Sequence, residues 1–330
     1  MRTYGLAFVS VAAAAISAAF LYQKYLPDPR EAAPIFRQWE SEIADDPLAV
    51  ANLERAFAAL GYDFTQVRSG RGAIPRVLVR TVPNDLGQVP EVARRKALFL
   101  GSVLPLVLSV NEQITRERAT IEAIAKKIRF REELTPSDTS ELDHLAKVYR
   151  VIDDEESGDI SDVSAEALVD ELLLRVAPLP VSLVLAQAAE ESAWGLSRFA
   201  LEGNALYGQW VWNDPNGIVP KDRSSEETHS IKAFRDILES TLSYAHNLNT
   251  HRAYADFRKM RANMLNSSGH LDGHSLAGTL TRYSGRGQAY VESLRNIIRA
   301  NNLTALDRAQ FSSPTETRTA AAGLTTTVAM

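Results

Sequence analysis

Cysteine is absent from this 330-residue chain, so the sequence allows no disulfide, no thiolate nucleophile and no cysteine-ligated zinc. An excess of positive charge is missing too, because 36 lysines and arginines are outnumbered by 41 aspartates and glutamates. The formal net charge of −5 leaves no basic stripe for a phosphate backbone, so nucleic acid is not expected as a partner. What remains is an ordinary globular composition, with 45% hydrophobic and 23% charged residues, which excludes collagen-like and wholly disordered chains.

The longest uncharged run stands at the N-terminus. Residues 3–23 carry no charge, and at ~1.5 Å per residue a helix of this length just crosses a ~30 Å hydrocarbon core. Residues 1–30 are therefore expected to be a signal anchor or a signal peptide, because small residues around Ser17 offer a peptidase site. We favour the anchor, since a signal peptide's apolar region usually has only ~7–15 residues. With Arg2 kept in the cytoplasm, the rest of the chain is exported.

Helical periodicity dominates the rest of the chain. Apolar residues recur at helical spacing from residue 34 to 60 and predict an amphipathic helix there. The β-branched segment Val77–Val79 predicts a short extended piece. The uncharged run from Ala97 to Val110 is too short to span a bilayer and contains Pro105, so a kinked core helix is expected. Residues 307–330 are small and polar, which predicts a disordered tail.

Two patterns resemble metal sites without fitting their geometry. The acidic run from Asp153 to Asp162 does not place its oxygen donors in the register of a calcium loop, so it is expected to be a surface loop. His270 and His274 are four residues apart, but Gly269 and Gly273 disfavour the helix that would bring them together. We therefore expect no metal and no cofactor.

The clearest candidate for chemistry is a helix predicted over residues 180–195. Gln187 and Glu191 share one face of it near its C-terminal end. The negative pole of the helix dipole disfavours a carboxylate there, and burial against Trp194 adds desolvation in the same direction, so the pKa of Glu191 is expected to be raised. A glutamic acid that stays protonated near neutral pH can give its proton to a leaving oxygen. From these residues alone, Glu190 and Glu191 also fit an ordinary solvated pair.

Three short motifs follow one another at the end of this helix. They are Glu191–Gly195 (ESAWG), Ser197–Ala200 (SRFA) and Asn204–Gly208 (NALYG). With the segments 82–114, 243–254 and 282–303, they resemble the Bax-like branch of glycoside hydrolase family 73, the bacterial glucosaminidases. The resemblance covers roughly residues 75 to 303. Ala193 and Ala205 depart from the family pattern, which has a glycine and an asparagine at these positions.

The resemblance implies a mainly α fold. We expect a lysozyme-like glucosaminidase domain with a small β-hairpin lobe over residues 166–306, preceded by a helical N-terminal region over residues 31–165. It implies cleavage of the β-1,4 bond after N-acetylglucosamine in peptidoglycan strands, the expected partner, with Glu191 as the proton donor. The protein is then expected in the cell envelope, at the periplasmic face of the inner membrane, or in the periplasm if residues 1–30 are cleaved.

Glycosidases commonly use a second carboxyl group. In the family it lies on the hairpin lobe, which maps to residues 211–234 here. We choose Glu227, with Glu226 next; Asp214 and Asp222 are further options on the same loop. Assistance by the sugar's N-acetyl group would replace a carboxylate nucleophile altogether.

Sugars present apolar faces that stack on aromatic rings and hydroxyls that reach polar side chains. The predicted substrate-binding residues are Gln187, Trp194, Asn204, Tyr207, Trp210 and Tyr254. Two alternatives to a hydrolase stay open. One is a lytic transglycosylase of the same fold, which needs one glutamate and forms an anhydro ring. The other is a non-catalytic glycan-binding envelope protein, suggested by the departures at Ala193 and Ala205. The sequence indicates no protein partner.

Overall fold

The computed structural model describes residues 39–152, 164–212, 214–221, 223 and 228–313, and most of these are helical. The prediction of a mainly α fold is confirmed. The N-terminal segment 1–30 and the acidic run 153–162 lie outside the described residues. The helices are α1 (Val50–Ala59), α2 (Phe64–Arg68), α3 (Val92–Arg129), α4 (Pro136–Val148), α5 (Ala165–Arg175), α6 (Val181–Glu191), α7 (Arg198–Gly203), α8 (Ile237–Thr250), α9 (Ala255–Ser268), α10 (Gly273–Leu276) and α11 (Gln288–Ala300).

Four short strands pair in two ladders. Strand β1 (Ser41–Ile43) is parallel to β2 (Val77–Val79), and β3 (Trp210–Trp212) is antiparallel to β4 (His229–Ile231). The extended piece expected at β2 is confirmed, as is a hairpin after α7. The helix expected over residues 34–60 is wrong for 41–49, because β1 forms there and α1 begins only at Val50. The residue before a proline disfavours helical geometry, and Asp46 precedes Pro47 in this stretch.

Helix α3 runs through the middle of the protein and contacts α5, α6 and α8. Its residues 98–110, Pro105 included, are all buried, which agrees with the expected core helix. By length and composition α3 could cross a membrane, but its most apolar stretch is mostly buried inside the protein, as in a core helix. The main hydrophobic cluster contains residues from Ile43 to Leu306, so the regions on the two sides of residue 165 share a core.

The folded part continues past residue 306, where the tail was expected to start. Asp307 accepts hydrogen bonds from the Ser182 backbone N–H (2.8 Å), the Ser182 hydroxyl (2.8 Å) and the Gly273 N–H (3.0 Å). Further on, the Ser312 N–H donates to the Ile74 carbonyl at 3.0 Å. A helix leaves its first N–H groups without partners inside the helix, and Asp307 supplies one for α6 from a distant part of the chain. Residues 314–330 lie outside the described part.

Buried arginines close the C-terminal ends of several helices. Arg261 of α9 is fully buried and donates to the carbonyls of Leu174 (3.1 Å), Arg175 (2.9 Å) and Ala177 (2.8 Å) at the end of α5. Burial lowers its pKa to about 9, so the guanidinium stays charged at neutral pH beside the negative pole of α5. In the same way Arg258 donates to two carbonyls at the end of α8. These contacts fix α9 against α5 and α8.

Replacing Arg261 by methionine is expected to lower the free energy of unfolding by at least about 3 kcal/mol, because each buried carbonyl that loses its donor costs about 1–3 kcal/mol. Urea unfolding followed by circular dichroism measures this loss. The control is Arg282→Met at an exposed arginine, which should change stability by less than about 0.5 kcal/mol. Equal losses for the two variants would contradict the capping role of Arg261.

Candidate active site

Helix α6 carries the candidate acid and is buried along nearly its whole length. Residues 181–189 are all buried, and only Glu190 and Glu191 reach partly accessible positions. The helix ends at Glu191, four residues before the Gly195 end expected from the sequence. The Ser192 hydroxyl closes the turn, donating to the Ala188 carbonyl (2.5 Å) and accepting from the Gly195 N–H (2.8 Å). Glu191 therefore sits at the last position of the helix, at the edge of the buried core.

The chain leaves α6 through three residues with left-handed backbone. The φ angles are 51° at Ala193, 62° at Trp194 and 79° at Gly195, and a right-handed helix cannot continue through them. A Cβ on Gly195 would lie 2.8 Å from a ring carbon of Phe99, so this position is restricted by packing as well. The glycine that the family pattern has at position 193 suits this backbone better than the alanine found here.

Tyrosines surround the Glu191 carboxyl group. Burial raises the pKa of Tyr244, Tyr254, Tyr283 and Tyr290, and the negative charge of Glu191 adds to the rise in all four. The rings of Tyr283 and Tyr290 are parallel with centroids 5.5 Å apart, and Tyr254 lies 5.9 Å from Tyr283. Burial also disfavours the charged form of Glu191 and raises its pKa to about 7. The sequence analysis expected a raised pKa but assigned the desolvation to Trp194.

A chain of buried hydrogen bonds ends on Glu191. The Tyr244 hydroxyl donates to the Gln187 side-chain carbonyl, and the Gln187 amide donates to the Tyr290 hydroxyl at 2.9 Å. Because the amide occupies a lone pair of Tyr290, that hydroxyl keeps its hydrogen for Glu191, with which it forms a hydrogen bond. This bond favours the carboxylate and lowers the pKa of Glu191, against the larger effect of burial.

Gln187 was predicted to bind substrate, and the structure places it out of reach. Its side chain is fully buried and both ends of its amide are occupied by tyrosine hydroxyls. It orients Tyr290 instead. The sequence analysis missed Tyr290, Tyr283 and Tyr244. The available signal was Gln187 itself, because a glutamine on a buried helix face must find hydrogen-bond partners, and Tyr244 and Tyr290 supply them.

Glu190 has partners of its own, supplied by α11 and the residues just before it. The Arg286 guanidinium lies 2.7 Å from one oxygen of the Glu190 carboxylate, and the Ser293 hydroxyl donates to the other at 2.9 Å. Adjacent helix residues point about 100° apart, so the two glutamates face different surroundings. Glu190 therefore links α6 to α11. This differs from the alternative interpretation of the sequence, in which Glu190 and Glu191 form an ordinary solvated pair.

Two further predicted substrate residues serve contacts within the protein. The Trp194 ring faces α3, with the Lys96 ammonium 4.2 Å from its centroid and the Phe99 ring at 6.3 Å. The Asn204 amide donates to the carbonyls of Phe234 (3.2 Å) and Arg235 (3.1 Å), where the chain returns from β4. The structure does not bring these two side chains to Glu191.

The other predicted aromatics lie nearer to the acid. Tyr207 is fully buried and stacks on Tyr244 with ring centroids 4.1 Å apart, so it packs against the tyrosine that donates to Gln187. Tyr254 is nearly buried, and burial raises its pKa to about 12. Next to Tyr207, a Cβ on Gly208 would lie 3.5 Å from Glu191 Oε2, so the backbone here borders the carboxyl group directly. Two residues further on, Trp210 is 43% exposed.

The hairpin lobe is described in part. Glu227, the predicted second carboxylate, lies outside the described residues, as do Glu226 and Asp222. Asp214 is described, and its carboxylate accepts from the Asn216 N–H at 2.9 Å in a local turn. Ala205 is buried under the hairpin in a small apolar cluster with Phe199, Ile231 and Phe234. Within the described ranges no group of three histidine, aspartate or glutamate side chains is placed to hold a metal ion.

Comparisons with known proteins place the site within a matched region. A family model described as glucosaminidase, mannosyl-glycoprotein endo-beta-N-acetylglucosaminidase, matches residues 170–303, which include both Glu191 and Tyr290. Protein bax of Escherichia coli (strain K12) is 32% identical over 209 residues, which cover 62% of this chain and 69% of that protein. No solved structure matches the chain.

Ala193→Gly is expected to stabilise the protein by about 0.5–1 kcal/mol. A left-handed alanine costs roughly 1–2 kcal/mol, and the larger entropy of glycine in the unfolded chain returns about 0.4–1 kcal/mol of this. The matched control is Ala119→Gly, at an exposed position inside α3, which should destabilise by about 1 kcal/mol. Thermal unfolding of both variants measures whether each substitution raises or lowers the stability of the protein. Destabilisation by Ala193→Gly would contradict the backbone strain at Ala193.

Proposed function

The chain belongs to the Bax-like branch of the glucosaminidase family, and from this premise we propose that it hydrolyses the β-1,4 bond after N-acetylglucosamine in peptidoglycan. Family membership gives the lysozyme-like domain and a peptidoglycan-related glycosidase activity. The observation that carries the finer assignment is Glu191, a partly exposed carboxyl group at the end of a buried helix, with its pKa raised to about 7. At neutral pH about half of the molecules carry a proton on such a group, and it can still meet a substrate.

Glu191 is proposed to act as the general acid. Its proton passes to the oxygen that links the two sugars, the bond from that oxygen to the anomeric carbon breaks, and the electron pair stays on the oxygen. Positive charge then develops on the sugar ring, next to a carboxylate that has just become negative. The Tyr290 hydroxyl stabilises this carboxylate through its hydrogen bond. Water completes hydrolysis by adding hydroxide to the anomeric carbon.

We propose Glu227 as the carboxylate that takes the proton from this water or stabilises the charged sugar. Its support is the family resemblance, in which the second carboxylate lies on the hairpin lobe, together with the hairpin that β3 and β4 form shortly after Gly208, a residue that borders Glu191. Glu190 does not fill the role, since Arg286 and Ser293 occupy both of its oxygens. The second candidate function is a lytic transglycosylase of the same fold, a reaction that would need Glu191 alone.

A cell-envelope location follows from the family. We propose that residues 1–30 anchor the protein in the inner membrane and that the catalytic part faces the periplasm. The support is the uncharged run over residues 3–23. Cleavage of this segment would release the same catalytic part into the periplasm.

Glu191→Gln is expected to lower the release of muropeptides from purified sacculi by at least about a thousandfold, because the amide cannot donate the proton that the leaving oxygen needs. The control is Glu190→Gln, the same change one residue away, which should stay within about tenfold of the wild type. Equal release by the wild type and Glu191→Gln would contradict the assignment of Glu191 as the general acid.

In the same assay, normal turnover of Glu227→Gln would show that Glu227 takes no part in the mechanism. Mass spectrometry of the products separates hydrolysis from formation of an anhydro ring.

The rate should fall as the pH rises through about 7, where Glu191 loses the proton that makes it an acid. Tyr290→Phe removes a hydrogen bond that lowers the pKa of Glu191, so its rate, although smaller, should persist to higher pH. The matched control is Tyr62→Phe, which removes a buried hydroxyl that donates to Gly101 in α3 and should leave the midpoint unchanged. A falling limb that Tyr290→Phe shifts to lower pH would refute the hydrogen-bond assignment.

A further inference from the structure

The β-hairpin presents aromatic side chains on one face. Trp210 and Trp212 alternate along β3, and His229 lies opposite Trp212 in the antiparallel register, so the three side chains emerge on the same side. The His229 ring stacks diagonally on Trp210, with centroids 4.2 Å apart and planes 14° apart. Trp212 adds a third ring at 6.3 Å from Trp210. We call these three residues the hairpin platform.

This surface is unusual for its exposed apolar groups. Five large hydrophobic residues are exposed in the described part of the chain, and three of them lie on α7 and the hairpin, namely Leu201, Trp210 and Val219. The Val219 carbonyl accepts a hydrogen bond from Arg198 of α7 at 2.5 Å, which ties the two elements together.

The platform is held in place by its surroundings. The Arg223 guanidinium donates to the His229 carbonyl at 2.9 Å. The Lys232 N–H donates to the Gln209 carbonyl at 2.9 Å, which fixes the start of β3 beside the end of β4. Ile218 and Ile231 exchange two backbone hydrogen bonds on the next edge. A ring that is already held in one orientation loses little conformational entropy when a ligand binds. The binding free energy is then not reduced by the cost of ordering the side chain.

The platform also begins close to the acid. Gly208 borders the Glu191 carboxyl group, and Trp210 follows two residues later. Two residues of chain span at most about 7 Å. A polysaccharide whose bond lies at Glu191 therefore reaches Trp210 with one of its neighbouring sugars, and a flat exposed ring matches the apolar face of a sugar.

We propose that Trp210, stacked on His229, forms a carbohydrate-binding platform that holds the peptidoglycan strand on the hairpin side of Glu191. This inference rests on the proposed function, because it takes the same strand as its ligand. It adds a binding contact for a sugar beyond the bond that is cleaved. Trp212 extends the same surface along the hairpin.

The test measures binding without turnover. Full-length Glu191→Gln protein in detergent is sedimented with purified sacculi, and the amount retained is compared with that of the Glu191→Gln, Trp210→Ala double variant. We expect about tenfold weaker retention for the double variant, the loss of one ordinary stacking contact. Trp210→Phe in the same background should keep most of the retention. The control is Phe130→Ala, which removes another exposed aromatic residue, at the end of α3, and should retain fully.

Equal retention with and without Trp210 would overturn the platform. The platform would also be overturned if Trp210→Ala lost self-association in light scattering while its retention on sacculi stayed unchanged. That result would assign the surface to contact with a second copy of the chain. Neither result touches the proposed function, which depends on the turnover lost in Glu191→Gln. Circular dichroism of each variant confirms that the comparison is between folded proteins.

Discussion

The enclosure of α6 on all sides is the constraint from which the properties of the site follow. Helices α3, α10 and α11 and the turn at residues 303–308 all contact it. The fit is close, since a Cβ on Gly273 would lie 2.2 Å from the Ser182 hydroxyl oxygen. The enclosure ends only at the last two helical residues. The carboxyl group of Glu191 is desolvated by burial, while the residue as a whole stays partly exposed, and we propose that this combination suits it to act as a general acid.

Helix α11 and the residues just before it determine how the two neighbouring glutamates differ. Arg286 and Ser293 hold the Glu190 carboxylate, and Tyr290 reaches Glu191 from the same side of α11. Tyr290 and Ser293 are three residues apart on one face of α11, which is why this helix contributes a partner to each glutamate. The Glu190 carboxylate forms an ion pair with Arg286, whereas the Glu191 carboxyl group has a neutral donor, Tyr290. The two glutamates therefore differ in their surroundings although their side chains are identical.

The sequence predicted the parts that local pattern controls. Helical periodicity and helix-terminal residues predicted α1, the core part of α3 and α6, and residue identity together with the family motifs singled out Glu191. It could not predict the contacts made between distant segments. Asp307 at the start of α6, Arg261 at the end of α5, and Tyr244 and Tyr290 around Gln187 are all brought together by folding. Periodicity reports which face of a helix is buried, but it does not say which partner a buried polar group finds.

Direct titration of the Glu191 carboxyl group tests the central claim most closely. The difference between the infrared carboxyl spectra of the wild type and Glu191→Gln, followed against pH, isolates this single group. The account predicts a protonated carboxylic acid band that disappears with a midpoint at about pH 7. A midpoint near the ordinary glutamate value of 4.5 would show a normally hydrated carboxylate and would contradict the account.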